Sequence, residues 1–184
     1  MKINIFWFRR DLRTEDNTAL NHALRKGLPV LPVFIFDSNI TGELQSDDPR
    51  VSFIHECLQS IHKYLRNLGS AIYMLKGDPV EKWKELVSTF DIDSVYINKD
   101  YEPYATGRDK AVAIILKKSG IKLFSFKDQV IFEENEVIKP DSKPYTVFTP
   151  YRNQWMKKLE TIRDELQGRS ISPPSGFLKC NYRF

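Results

Sequence analysis

Five short runs rich in β-branched and aromatic residues recur along the chain, at 3–8 (INIFWF), 30–36 (VLPVFIF), 71–75 (AIYML), 94–98 (SVYIN) and 121–126 (IKLFSF). Helical periodicity fills the intervals between them. That alternation constrains the fold more than any other feature. Strands that lie parallel need a crossover long enough for a helix, and the crossovers cover the faces of the sheet. The second run is apolar throughout, as a strand covered on both faces must be. The pattern predicts an α/β fold, a Rossmann-like doubly wound parallel sheet of five strands in the order 3-2-1-4-5 with helices on both faces.

The helical segments carry their own start and stop signals. Asp16 or Asn17 is placed to cap a helix over 17–26. A longer helix over 51–68 spaces Ile54, Cys57, Leu58, Ile61, Tyr64, Leu65 and Leu68 three and four apart and stops at Gly69. Asp78 and Pro79 read as the N-cap and first residue of a helix that buries Val80, Trp83, Leu86, Val87 and Phe90. Further helices are expected over 104–118 and 152–166, with a proline-punctuated excursion between Phe126 and the last of them. The tail 167–184 (QGRSISPPSGFLKCNYRF) has the composition of a linker or a frayed terminus, so the expected domain is 1–166.

Composition excludes several classes. The longest apolar run, 30–36, is far too short to span a membrane, and the N-terminus is no signal peptide. The net charge of +4 is too weak to demonstrate a polyanionic partner. Cys57 and Cys180 form no CxxC; Cys57 falls on a helical apolar face, which predicts a buried thiol and fits a reducing cytoplasm. His55 and His62 stand seven apart on one helix without a third ligand, a poor metal pair.

Chemistry in an open parallel sheet gathers outside the carboxyl ends of the strands. The first strand leads into "FRRDLRTEDN", with Arg9, Arg10, Asp11 and Arg13 where a glycine-rich phosphate loop often stands; neither GxGxxG nor GxxxxGK(S/T) occurs. The second strand ends in Phe36 and Asp37 and a polar loop reaching Arg50. The fourth is followed by Asn98, Lys99, Asp100, Tyr101 and Glu102. With the first strand central, these sets meet at one crevice. Arginine forks suit phosphates, carboxylates or carbonyl-rich rings, a carboxylate accepts from the N–C–N edge of a heterocycle, and aromatics stack. Together they point to a polar, conjugated ligand. The same arginines could instead tie loops together by pairing with Asp11, Glu15, Asp16 and Asp37.

Five stretches, "WFRRDLRTEDNTAL", "RVSFIHECLQSIHKYLRNLGS", "LKGDPVEKWKEL", "VYINKDYEPYATGRDKAV" and "KPYTVFTPYRNQW", resemble the DNA photolyase/cryptochrome family in order and spacing, from residue 2 to about 160. The resemblance implies an N-terminal α/β domain that often holds a light-harvesting antenna pigment. That pigment is methenyltetrahydrofolate, 8-hydroxy-deazaflavin, FMN or FAD. It also implies a C-terminal helical domain, not present in this sequence, that binds FAD, carries the electron-transfer tryptophans and receives UV-damaged DNA. On that footing the antenna residues are Arg9, Arg10, Phe36, Asp37, Arg50, Asp100 and Glu102. A glutamate at the Glu102 position meets a pterin edge in folate-binding relatives, while the arginines and the loop after the second strand matter more for deazaflavin; "EPYATGRD" and "PRVSFI" lean towards a flavin-like pigment. Trp7, Trp83 and Trp155 lie in α/β-domain motifs and are not the electron relay. The implied function is the antenna domain of a deoxyribodipyrimidine photolyase, a carbon–carbon lyase that is inactive as this fragment alone. The alternative is the same domain of a cryptochrome photoreceptor.

Overall fold

The computed structural model describes residues 1–42, 44–45, 47–167 and 175–184, apart from the side chains of 164–167. Strand β1 (Ile3–Phe8) is central in a parallel five-stranded sheet of order β3-β2-β1-β4-β5, with β2 at Val30–Asp37, β3 at Tyr73–Gly77, β4 at Ile92–Asn98 and β5 at Lys122–Phe126. The expected class and strand order both hold. The period-two alternation of a strand divides β1 between two cores. Ile3, Ile5 and Trp7 pack with Trp83 and Leu86 of α4 (Pro79–Thr89) and with Val112 and Leu116 of α5 (Pro103–Lys118). Phe6 and Phe8 pack with Ala19, Leu20 and Ala23 of α1 (Thr18–Leu24) and with Leu58, Ile61 and Leu65 of α3 (Pro49–Asn67). Trp83 is fully buried, as its helical spacing implied.

Capping residues set the helix starts. Asn17, Asp48 and Asp78 each accept a backbone N–H of the first turn of α1, α3 and α4. Asp37 does the same for α2 (Ser38–Thr41), a short helix with too few residues to show periodicity in the sequence. The long helix stops where Gly69 takes φ +71°, a left-handed conformation that glycine adopts without penalty. The last helix, α6 (Phe148–Gln167), begins earlier than expected.

Two expectations need correction. Cys57 is half-buried and lines the groove beside α3 instead of lying in the core, because the buried stripe of that helix is Leu58, Ile61 and Leu65. The frayed terminus does not hold for 176–184; the linker-like stretch 168–174 lies outside the described residues. Pairing of β2 with β3 begins only at Val33–Tyr73, later than the run AIYML suggested, so the backbone of Val30 is open on that side. The tail fills the opening: Val30 N–H donates to the Gly176 carbonyl at 2.8 Å and Leu178 N–H donates to the Val30 carbonyl at 2.8 Å. Phe177 then enters the core under α1 and α3, and Leu178 the core under α4 and α5, at 5% and 9% exposure. Phe184 ends between His55 and His62, with ring centroids 5.1 and 5.3 Å away. No cluster of potential metal ligands occurs among the described residues.

Candidate functional site

The charged turn after β1 is built around a buried amide. Asn98, at the end of β4, donates to Asp11 and, at 2.9 Å, to Asn17 Oδ1, while its own Oδ1 accepts Ala19 N–H at 2.9 Å. Asn17 Nδ2 returns to the Arg13 carbonyl at 3.1 Å, and Asp11 also accepts the Arg9 N–H at 2.9 Å. Side-chain hydrogen bonds thus fix a turn that glycine shapes in other sheets of this type. Arg13 is anchored from outside by the Asp16 carbonyl at 2.7 Å and by Asp128 at 2.6 Å.

From that turn Arg9 and Arg10 part company. Arg9 passes beside the Trp7 ring, 5.3 Å from its centroid, and pairs with Asp109 of α5; its side chain is only 6% exposed. Next to it Arg108 lies over both Trp7 and Tyr104, 5.0 and 5.9 Å from their centroids. Its guanidinium reaches Asp109 at 3.1 Å and Asp37 at 3.9 Å. Asp37 also accepts the Tyr104 hydroxyl at 2.6 Å and the Asn39 N–H at 2.9 Å. Burial, followed by donation to Asp37, pushes the Tyr104 hydroxyl above its usual value. Asp37 and Arg9 therefore belong to one ion-pair network under α5, in which the buried Arg9 Nε has no hydrogen-bond partner among the described residues.

Arg10 stays at the open edge. It pairs with Glu102 and lies 3.7 Å from Asp100, with a side chain 59% exposed. Because Glu102 turns to Arg10, α5 starts without a side-chain cap. Asp100 faces Arg10, Arg13, Lys99 and Asp128 across a polar cleft of about 80 Å³. On the α3 side a groove of about 730 Å³ opens between the turn and the helix, lined by Arg9, Arg10, Arg13 and Arg50 and by the apolar surfaces of Leu12, Phe53 and Ile54. Arg50 is clamped in two-point fashion on Asp48, at 2.6 and 2.9 Å. Phe36 is half-buried, meets Phe34 edge-on at 4.9 Å and packs on the core under α3.

Of the seven residues singled out in the sequence, Arg9, Arg10 and Arg50 line one groove, Asp100 and Glu102 hold Arg10 at its rim, and Asp37 and Phe36 stand apart from it. Sequence reasoning passed over Phe53 and Arg108. Phe53 is 66% exposed and sits one place before Ile54 on the apolar stripe of α3, an out-of-phase aromatic that helical phase alone could have flagged. Arg108 follows Tyr104 by four residues, the spacing that stacks side chains on one helix face.

The clamp has a measurable signature. Hydrogen bonds from the Arg50 side chain and backbone hold the Asp48 carboxyl down at about 2, against an ordinary 3.8. The sign follows from a depressed folded value: the clamp is intact above the ordinary carboxylate range and is lost as pH falls through about 2. Carboxyl NMR should place the Asp48 midpoint there, and Arg50→Ala should move it up towards 3.8. An unshifted midpoint in the parent protein would show that the clamp does not form.

Comparison with known proteins matches this arrangement to one family. The family profile described as DNA photolyase covers residues 4–170. A deoxyribodipyrimidine photo-lyase of Synechococcus sp. is 32% identical over 82% of this chain and 31% of its own length. Cryptochrome-1 of Gallus gallus is 27% identical over 93% of the chain and 29% of its own. Among solved structures, an archaeal photolyase from Sulfolobus tokodaii with two FAD molecules, in which a novel light-harvesting cofactor is implicated, superposes with a TM-score of 0.70 at 30% identity, over 84% of this chain and 34% of that one. The chain thus spans about a third of the length of these relatives. A parallel sheet of this order, a glycine-free arginine turn after its central strand and a match over nearly the whole sequence agree in one conclusion: the chain belongs to the DNA photolyase family and corresponds to its N-terminal α/β domain.

Proposed function

We propose that this chain is the light-harvesting domain of a deoxyribodipyrimidine photolyase, the enzyme that uses blue light and FAD to reverse pyrimidine dimers in DNA. The observation that carries the reading is the groove on the α3 side. It joins arginine side chains, Arg10 and Arg50 largely exposed, to the uncovered ring of Phe53 and the apolar surfaces of Leu12 and Ile54. A pigment that passes excitation energy must be held in one orientation. Flat donor forks and an aromatic face are the groups that orient a conjugated, electron-rich ring. Methenyltetrahydrofolate, 8-hydroxy-deazaflavin, FMN and FAD are the candidate pigments. Arg10, Arg50, Asp100 and Glu102 are the proposed polar contacts; Arg9 lines the same groove, while Asp37 and Phe36 lie outside it.

Dimer splitting is assigned to a helical FAD-binding domain of the full-length protein, which is also the proposed partner of this surface and the site where damaged DNA binds. The lyase reading is preferred over a cryptochrome photoreceptor because the Synechococcus relative at 32% identity bears the lyase name, and the chicken cryptochrome is more distant. Among the described residues no helix is long and apolar enough to cross a membrane; the cytoplasm is the proposed location.

Titration of the purified chain with each pigment, followed by absorbance and fluorescence, tests the reading. One pigment should bind at micromolar concentration or tighter, and Arg50→Ala should weaken it about tenfold. Illumination of dimer-containing DNA with the chain alone should give no repair. Failure of every pigment to bind would remove the antenna assignment, and repair by the chain alone would overturn the placement of the chemistry.

A further inference from the structure

The end of the sheet opposite the arginine turn has a chemistry of its own. Because the strands are parallel, all five strand starts lie at that end, with the last turns of the helices that lead into them. At the start of β5 stand Lys117 and Lys118, from the last turn of α5, and Lys122. At the starts of β2 and β3 stand Arg25 and Lys26 after α1, Arg66 in the last turn of α3, and Lys179 of the tail, whose ammonium lies 2.6 Å from the Leu68 carbonyl. Lys2 precedes β1. All eight are exposed. Among the described side chains of these segments the carboxylates are Asp91 and Asp93, both at β4, and Lys2 pairs with Asp93 at 3.2 Å. The surplus of cations exceeds the +4 of the whole chain, so the rest of the molecule is acidic on balance.

Helix dipoles explain only part of this pattern. A cation in the last turn offsets the partial negative charge of a helix end, which accounts for Arg66, Lys117 and Lys118. Lys2, Lys26 and Lys122 lie outside any last turn, and α4 has no basic residue in its own. The cations form two banks, one along β3 and β2 and one at β5, with the carboxylates of β4 between them. From β2 to β5 is a distance of about 14 Å at the usual strand spacing, close to the B-DNA major-groove width of about 12 Å. Two phosphate rows bordering a groove can therefore meet the two banks while Asp91 faces the open groove. A continuous anionic layer, such as a lipid surface, would press charge against Asp91. Of the large apolar side chains exposed in these segments, Tyr64 turns into the groove along α3, which leaves Met1 alone for insertion among the described residues.

We propose that this end of the domain is a contact surface for duplex DNA, with one backbone row on Lys117, Lys118 and Lys122 and the other on Lys26, Arg66 and Lys179. Exposed lysine and arginine ends hold phosphates without carrying sequence information, so the contact is independent of base sequence and of any lesion. A contact of this kind keeps a protein on DNA while it slides. The surface lies at the opposite end from the pigment groove and does not depend on what that groove holds.

The test is fluorescence anisotropy of a labelled, undamaged duplex titrated with the intact chain. Binding is expected at about 1–100 μM near physiological salt, and log affinity should fall against log salt with a slope of about −4 or steeper. Lys117→Gln with Lys118→Gln in one bank, and Lys26→Gln with Arg66→Gln in the other, should each weaken binding about tenfold or more and flatten the slope by about two. Lys76→Gln with Lys84→Gln makes the same charge change near the carboxyl end of β3 and on α4, and should alter binding less than about twofold. All these positions are exposed, so circular dichroism melts that match the parent are expected, and two separate banks guard against a local folding defect. Absence of binding at low salt, or equal weakening by the Lys76 and Lys84 substitutions, overturns the surface. So does tighter binding of dimer-containing than of undamaged duplex, or single-stranded DNA bound as tightly as duplex. Binding to phosphatidylserine vesicles without binding to duplex overturns it in favour of a lipid surface.

Discussion

Phe177→Ala is expected to destabilise the domain by about 3–5 kcal/mol, the cost of emptying a buried aromatic site. Phe177 is 5% exposed, lies in a stretch whose composition suggests a linker, and packs in the same core as Phe6, Leu58 and Leu65. Its backbone neighbours provide the partners of Val30 on the side that β3 leaves open. The substitution therefore creates a cavity and loosens the pairing of a strand adjacent to the central one. Urea unfolding should show a lower midpoint with an unchanged m-value, because the cooperative unit still exposes the same surface. Lys179→Ala, on an exposed residue whose ammonium reaches the Leu68 carbonyl at 2.6 Å, should cost less than about 1 kcal/mol. Equal, small effects at both positions would show that the tail is not part of the folded unit.

Arg108→Ala should cost about 3–5 kcal/mol, the usual consequence of removing one member of a buried ion pair. The Arg108 side chain is 8% exposed and serves two carboxylates, Asp37 at 3.9 Å and Asp109 at 3.1 Å, while packing against Trp7 and Tyr104. Asp109 retains Arg9, whereas Asp37 would keep only neutral donors, the Tyr104 hydroxyl and the Asn39 N–H. The double variant Arg108→Ala with Asp37→Asn should recover at least about 1 kcal/mol relative to additivity, since the stranded charge is removed with its partner. Arg10→Ala supplies the contrast. Its pairs with Glu102 and Asp100 are open to water, so its effect on stability should stay below about 1 kcal/mol, and its proposed role is in pigment binding. Reversal of that order, Arg10 costly and Arg108 cheap, would mean that the network under α5 is not the buried element described.

Much of this protein is legible in the order of its residues. The β-rich runs at helix-length intervals determine a parallel sheet, and the handedness and length of crossovers leave the order 3-2-1-4-5 as a natural solution. Asn17, Asp48 and Asp78 mark helix starts through a local hydrogen bond that needs only neighbours in the chain. The motif string leads to the family. These features share a cause: each depends on contacts within a few residues or on periodicity, which a sequence displays directly.

The sidedness of the site required the tertiary structure. Arg9 and Arg10 are adjacent and chemically alike, yet one joins the network under α5 and the other remains at the open edge. The difference is made by Asp109, Asp100 and Glu102, which stand about a hundred residues away and reach the turn only because β4 pairs with β1. Asp37 was drawn under α5 by Tyr104 and Arg108 for the same reason. The tail is the extreme case. Local composition made 176–184 a linker, and only the late start of β3 opened a backbone partner at Val30 and two apolar sites on opposite faces for Phe177 and Leu178. Local chemistry thus determined the elements, their order and the family, while the partner of each charged group and the place of the tail were decided by which distant strand ends the sheet brings together.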